Sequence, residues 1–99
     1  MTSNELERLM RWYTSHCDGD WEHDTRVRIA TLDNPGWTLD VNLSDTSASG
    51  RTIGITRIDR GEHDWVHYEV KDNSFIGNCG PSNLPELIAT FLGIAASDT

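Results

Sequence analysis

The sequence predicts an α+β domain with one helix at each end. Between them lies an antiparallel meander of about five strands, with both helices packed on one face of the sheet. Three observations carry this. Apolar residues recur at helical spacing near the two ends of the chain, they alternate with a period of two in between, and short clusters of Gly, Pro, Asn and Asp separate the alternating runs.

Asn4 followed by Glu7 has the form of a capping box. Leu6, Leu9, Met10 and Tyr13 then form a stripe opposite Glu7, Arg8 and Arg11, which predicts a helix from about residue 4 to 16, ending before Asp18-Gly19. From Thr25 to Leu32, Val27 and Ile29 alternate with Arg26 and Arg28, the pattern of a strand. Asp33-Asn34-Pro35-Gly36 is a turn, because Pro presets φ and Gly tolerates positive φ. Trp37, Leu39, Val41 and Leu43 alternate with polar residues in a second strand, so the two make a hairpin.

Ser44 to Gly50 is a polar loop of small residues and the segment expected to be most mobile. Ile53, Ile55 and Ile58 mark a third strand whose change of phase predicts a bulge near Thr56 or Arg57. After Arg60-Gly61-Glu62, a fourth strand sets Val66, Tyr68 and Val70 opposite Trp65, His67 and Glu69. Lys71-Asp72-Asn73 turns into a short strand with Phe75, which runs into Gly77-Asn78-Cys79-Gly80. Asn83 with Glu86 is a second capping box, and Pro85 is tolerated in a first turn. Leu84, Leu87, Ile88, Phe91, Leu92 and Ala95 then trace one apolar stripe, predicting a helix to about Ile94.

Ninety-nine residues make a single domain over 1–99 and leave no room for a second core. Sixteen acidic against eight basic residues give a net charge of −8. A field of that sign repels phosphate backbones and attracts basic partners, so the sequence argues against direct nucleic-acid binding. Its first residues have neither a basic leader nor an apolar core, and the longest apolar stretch is too short to span a bilayer. No membrane partner is expected. The location expected on these grounds is the cytoplasm, where Cys17 and Cys79 would be free thiols.

Two clusters could carry function. The first is Cys17-Asp18-Gly19-Asp20-Trp21-Glu22-His23-Asp24, preceded by His16. Cys, His and carboxylates can ligate metal, but the spacing matches no zinc pattern and no complete calcium loop. Alternatively, Asp18, Asp20, Glu22 and Asp24 can pair with basic groups of a partner around Trp21 as an anchor, or Trp21 can simply pack in the core. The second cluster is Asp59-Arg60-Gly61-Glu62-His63-Asp64-Trp65, followed by His67 and Glu69, which are spaced as an acid/base pair could be. No nucleophile has an identifiable base, and no phosphate-binding Gly loop is present. The sequence is therefore read as that of a non-enzyme with no cofactor and no metal, the alternatives being a small metal-dependent enzyme using His16, Cys17 and His23 or a general acidic adaptor.

Trp12-Tyr13, Cys17 to His23, Leu32-Asp33-Asn34-Pro35-Gly36-Trp37, Glu62 to Trp65, and Gly80-Pro81-Ser82-Asn83-Leu84 with Phe91-Leu92 form an ordered series. That series, from about Leu9 to Leu92, resembles the immunity protein 53 family of bacterial polymorphic toxin systems. It departs from the family pattern at Cys79, where a small residue is expected. The resemblance implies an α+β protein that neutralises a cognate secreted toxin by binding its C-terminal domain. Joined to the acidic charge, it suggests a basic toxin domain such as a nuclease, met by Asp18, Asp20, Trp21, Glu22 and Asp24 together with Glu62, Asp64 and Trp65; the sequence leaves open whether the two clusters share one face.

Overall fold

Helical and alternating periodicities become separate layers in the structure, a computed structural model that describes residues 4–95. The elements are α1 (Glu5–His16), α2 (Trp21–Asp24), β1 (Val27–Leu32), β2 (Gly36–Asn42), β3 (Ile53–Gly61), β4 (Asp64–Lys71), β5 (Ser74–Cys79) and α3 (Leu84–Ala95). The terminal helices and five strands lie where the periodicity places them. The four-residue α2 is an addition, in a segment read only as a link.

Alternation along β2, β4 and β5 places Leu39, Val41, Val66, Val70 and Phe75 on one face of the sheet, all fully buried. Leu87, Ile88, Phe91 and Leu92 of α3 close over them, and α1 packs beside α3 through Leu9 and Trp12. Phe91 meets the ring of Phe75 at 5.2 Å and that of Trp12 at 4.9 Å, both edge to face. Such pairs contribute about 0.5–1.5 kcal/mol each beyond the area they bury. Gly77 lets α3 approach the sheet this closely, because a Cβ there would stand 2.6 Å from Leu87 Cδ1.

The strands run in the order β1-β2-β5-β4-β3, all antiparallel. Within that sheet β3, β4 and β5 form a sequential meander, but β5 then pairs with β2 instead of ending at an edge. The physical reason lies in composition. Ser74–Cys79 carries no charge and buries Phe75, Gly77 and Cys79, so it belongs in the middle, whereas β1 and β3 carry Arg28, Arg57 and Asp59 and tolerate an edge.

The segment from Leu43 to Thr52 must therefore cross three strand spacings, about 14 Å, over the end of the sheet. Expected to be mobile, it is instead pinned: Ala48 is buried, the Ser47 hydroxyl donates to the Ala95 carbonyl, and Asn73 holds it at two points. The Asn73 carbonyl accepts from Leu43 N at 2.7 Å and its Oδ1 accepts from Gly50 N at 2.7 Å. Asp72 and Asn73 both have positive φ, 52° and 60°, as a tight hairpin turn between β4 and β5 requires.

Two local expectations change, and the bulge expected in β3 is present beside Thr56. Asn4 makes no side-chain cap, because its backbone (φ −113°, ψ 12°) is outside the extended region that aims a cap at the helix amides, and Glu7 pairs instead with Arg11 at 2.8 Å. Of the predicted α1 stripe only Leu9 is buried, while Leu6 and Met10 remain exposed. The register of β3 shifts between Ile53 and Thr56, at that bulge, and again between Asp59 and Gly61.

Candidate functional site

The link between α1 and β1 is organised by its own carboxylates. Gly19, at φ +98°, turns the chain back so that side chains can cap backbone amides. Asp18 Oδ1 accepts from the amides of Asp20 and Trp21, each at 2.9 Å. Glu22 reciprocates, its two oxygens accepting from the amides of Asp18 (3.0 Å) and Gly19 (2.9 Å). The amide of Trp21, then that of Asp20, holds the Asp18 carboxyl below the usual range, and backbone amides likewise lower that of Glu22.

Trp21 is only 6% exposed. Its ring lies among Trp12, Tyr13 and His16, with centroids 5.8, 5.7 and 5.2 Å away, and its Nε1 donates to the Ser44 carbonyl at 3.0 Å. Of the two readings open for this residue, the structure takes the core. Asp18 and Glu22 shape the loop above it. The carboxylates of Asp20 and Asp24 are exposed and have no polar partner among the described residues.

The second cluster sits where β3 turns into β4. Arg60 forks onto Asp64 Oδ1 through Nε (3.1 Å) and Nη2 (2.9 Å) and also reaches Glu86 in the first turn of α3. Asn83 Nδ2 donates to Asp64 Oδ1 at 2.9 Å and to Glu86 Oε1 at 3.2 Å. Arg60 holds the carboxyls of Asp64 and Glu86 below their ordinary values and is itself held more firmly protonated by them. Asp64 thus ties the β3–β4 turn to α3. The Asn83-Glu86 pair, expected as a capping box, is part of this clamp. The spacing of Arg60 and Asp64 was the sequence signal for it, visible only once α3 is known to lie alongside.

Trp65 and His67 stand on the face of the sheet that the helices leave uncovered, with ring centroids 4.8 Å apart. His67 Nε2 lies 2.7 Å from Asp59 Oδ1, so its carboxylate partner is across the strand pair and not Glu69, which lies 4.0 Å from Lys71. Glu62 is exposed and without a polar partner among the described residues. Trp65, Asp59, Glu62 and His63 line an open concavity of about 790 Å³, walled on the other side by Leu32 and Pro35 of the β1–β2 turn. Sequence reasoning joined Asp59 to Trp65 but not Leu32 and Pro35, since only the sheet order brings those two alongside.

The two clusters do not meet. Val27, Val41, Phe75, Val70 and Ile53 form one row across the sheet, at the end where α2 leads into β1. Asp64 pairs with Gly61 at the other end, beyond Val66 and Cys79. Whether the two clusters share one face was open in the sequence, and the structure sets them at two ends separated by the length of the sheet. Within them Asp18, Glu22 and Asp64 are engaged internally, Trp21 is buried, and Asp20, Asp24, Glu62 and half-buried Trp65 remain available.

The His16 ring lies tilted against that of Trp12, centroids 4.5 Å apart, with Nδ1 2.8 Å from the Trp12 carbonyl, and Cys17 Sγ donates to the Tyr13 carbonyl at 3.3 Å. Among the described residues no three His, Cys, Asp or Glu side chains converge as a metal site, and no helix is long and apolar enough to cross a membrane. Burial pushes the Cys79 thiol up to about 11.

Neither the curated proteins nor the solved structures contain a match to this chain. The family model of immunity protein 53 matches residues 6–96, nearly its whole length, and the chain belongs to that family of immunity proteins.

Proposed function

We propose that this protein acts in the cytoplasm of the cell that makes the toxin, as a stoichiometric inhibitor that binds the toxin's C-terminal domain and blocks its basic, nucleic-acid-binding cleft. The observation that carries the reading is the concavity at Trp65. A half-buried Trp and His lie on the uncovered face of the sheet, beside the free carboxylate of Glu62, in a chain of net charge −8. Aromatic anchors rimmed by charge are what tight interfaces use. The desolvated ring sets the lifetime of the complex, and the rim charges set the rate of encounter.

In this reading Trp65 and Glu62 touch the toxin, and Asp20 and Asp24 steer it from the other end. Asp18, Glu22, Trp21 and Asp64 act indirectly by holding the two ends in shape. An acidic surface of this kind competes with phosphate for a basic cleft, and charge steering raises association rates roughly ten- to a thousand-fold at low salt.

The test uses the toxin domain encoded beside this gene, as a catalytically silent variant. Native mass spectrometry should give a one-to-one complex, with an association rate that falls as salt is added. Trp65→Ala should mainly speed dissociation, and Glu62→Lys mainly slow association. Absence of a complex overturns inhibition by binding. An association rate indifferent to salt discards the steering, and a toxin domain that does not cut nucleic acid discards the nuclease.

A further inference from the structure

Only β1 and β3 lie at edges of the sheet, and the two edges are guarded very differently. β3 shifts register twice and carries Arg57, Asp59 and Arg60, the bulges and charges that keep an edge from pairing with another chain. β1 keeps an unbroken register with β2 over all six residues, contains no proline and carries a single charged residue, Arg28.

The phase of that pairing identifies the free groups. Asn42 N donates to the Arg26 carbonyl at 3.2 Å. Arg26, Arg28, Ala30 and Leu32 therefore turn their backbone groups toward β2, while Val27, Ile29 and Thr31 turn theirs outward. The side chains of Val27 and Ile29 lie on the helix face, opposite Val41 and Leu39. Along this edge, α1 leans on α3 and leaves a groove of about 640 Å³ between itself and β1. Leu6 and Met10, each 59% exposed, and Tyr13 and Ile29, each 37% exposed, all line it.

We propose that the β1 edge receives an extended segment of the toxin domain, hydrogen-bonded to Val27, Ile29 and Thr31. Its alternate apolar side chains fill the groove over Leu6, Met10, Tyr13 and Ile29, and a basic residue follows toward Asp20 and Asp24. This rests on the inhibitory reading above and names how the toxin is held. A row of outward amides and carbonyls selects an extended chain, and the adjoining groove selects apolar residues at every second position.

Charge selects the toxin over a second copy of this chain, since two chains of −8 repel. Arg26 and Arg28 lie along the edge itself, so the attraction acts on a basic residue beyond the start of β1, at the exposed carboxylate of Asp24. Six residues of β1 span about 20 Å. They run from the Asp24 end to Leu32, which also walls the concavity at Trp65. One docked strand would thereby join two acidic ends that otherwise share no surface.

Thr31→Pro removes an outward amide and leaves the β1–β2 ladder intact, a position where edge strands tolerate proline. Met10→Lys places a charge in the groove at an exposed site. Both variants should melt close to the wild type and bind the silent toxin domain at least about tenfold more weakly. In the wild-type complex, the amides of Ile29 and Thr31 should become protected from hydrogen exchange.

If Thr31→Pro proves unstable, Met10→Lys and the exchange data decide. Wild-type affinity in the folded variants, or unprotected Ile29 and Thr31 amides in a stable complex, overturns the strand docking and leaves inhibition standing. Failure of the wild-type chain to bind the toxin domain overturns the inhibitory reading, and this occupant with it. Self-association of the wild-type chain that Thr31→Pro abolishes would assign the edge to a second copy instead.

Discussion

Replacing Trp21 by alanine separates a structural role from a contact role at the residue where the sequence left both open. A buried Trp removes about 150–250 Å² from water, which at about 25 cal/mol per Å² amounts to about 4–6 kcal/mol. The unfolded chain already hides part of that area, so the stabilisation is nearer 3–5 kcal/mol, the usual range for Trp→Ala in a core. Trp21→Phe keeps most of the ring contacts with Trp12, Tyr13 and His16 but loses the Nε1–H donation to Ser44 O, a loss of about 1–2 kcal/mol.

In a domain of this size each kcal/mol lowers Tm by at least about 4 °C, so alanine should lower it by about 12–20 °C and phenylalanine by about 4–8 °C. Urea unfolding followed by far-UV circular dichroism measures both without relying on the fluorescence of the ring removed. Toxin binding is then measured where each variant is fully folded, and should be within a few-fold of wild type. The reasoning fails if alanine lowers stability by less than about 1 kcal/mol while weakening toxin binding by about thirtyfold or more. Trp21 would then be a contact residue that leaves the core to reach its partner.

Two solution measurements follow from the titrating groups. Asp18, Glu22, Asp64 and Glu86 all have folded-state values below the ordinary 3.8 and 4.5, so the unfolded chain binds more protons in that window. Their contribution is complete above pH 4.5 and is lost as pH falls through the folded values. The urea midpoint should therefore drop below about pH 4.5, and Arg60→Met should shrink the part due to Asp64 and Glu86. An identical acid limb in that variant would mean that Arg60 is not their partner in solution. For the thiols, Cys79 is fully buried and raised to about 11 while Cys17 is partly exposed, so at neutral pH an aromatic disulfide reagent should label Cys17 first and Cys79 only on unfolding. Equal labelling rates in the native protein would contradict that burial.

Both main helices and all five strands were legible because each buries one face, and burial on one face writes a period into the sequence. Strand order is written less directly. Alternation in Trp37–Leu43 and in Asp64–Val70 states which side chains point inward, but not which strand lies alongside. The neutrality of Ser74–Cys79 was the available clue that β5 is central. The α1 stripe misled for a related reason. Leu6, Leu9, Met10 and Tyr13 are equally apolar, and only the position of α3 decides that Leu9 is covered while Leu6 and Met10 line a groove.

The candidate site was legible as composition but not as commitment. A carboxylate in a sequence has the same charge whether it caps a loop, clamps a turn or waits for a partner, and the structure divides them. Asp18 and Glu22 serve the amides of their own loop, Asp64 serves Arg60 and Asn83, and Asp20, Asp24 and Glu62 serve nothing within the described chain. Free carboxylates at two ends of a sheet, about 20 Å apart along β1, cannot act as one point of contact. They can act together only if a partner spans the distance, and the chain offers one backbone edge of unbroken register, β1, running between them. If the docking proposed above holds, the charge marks the two ends of a strand-shaped site.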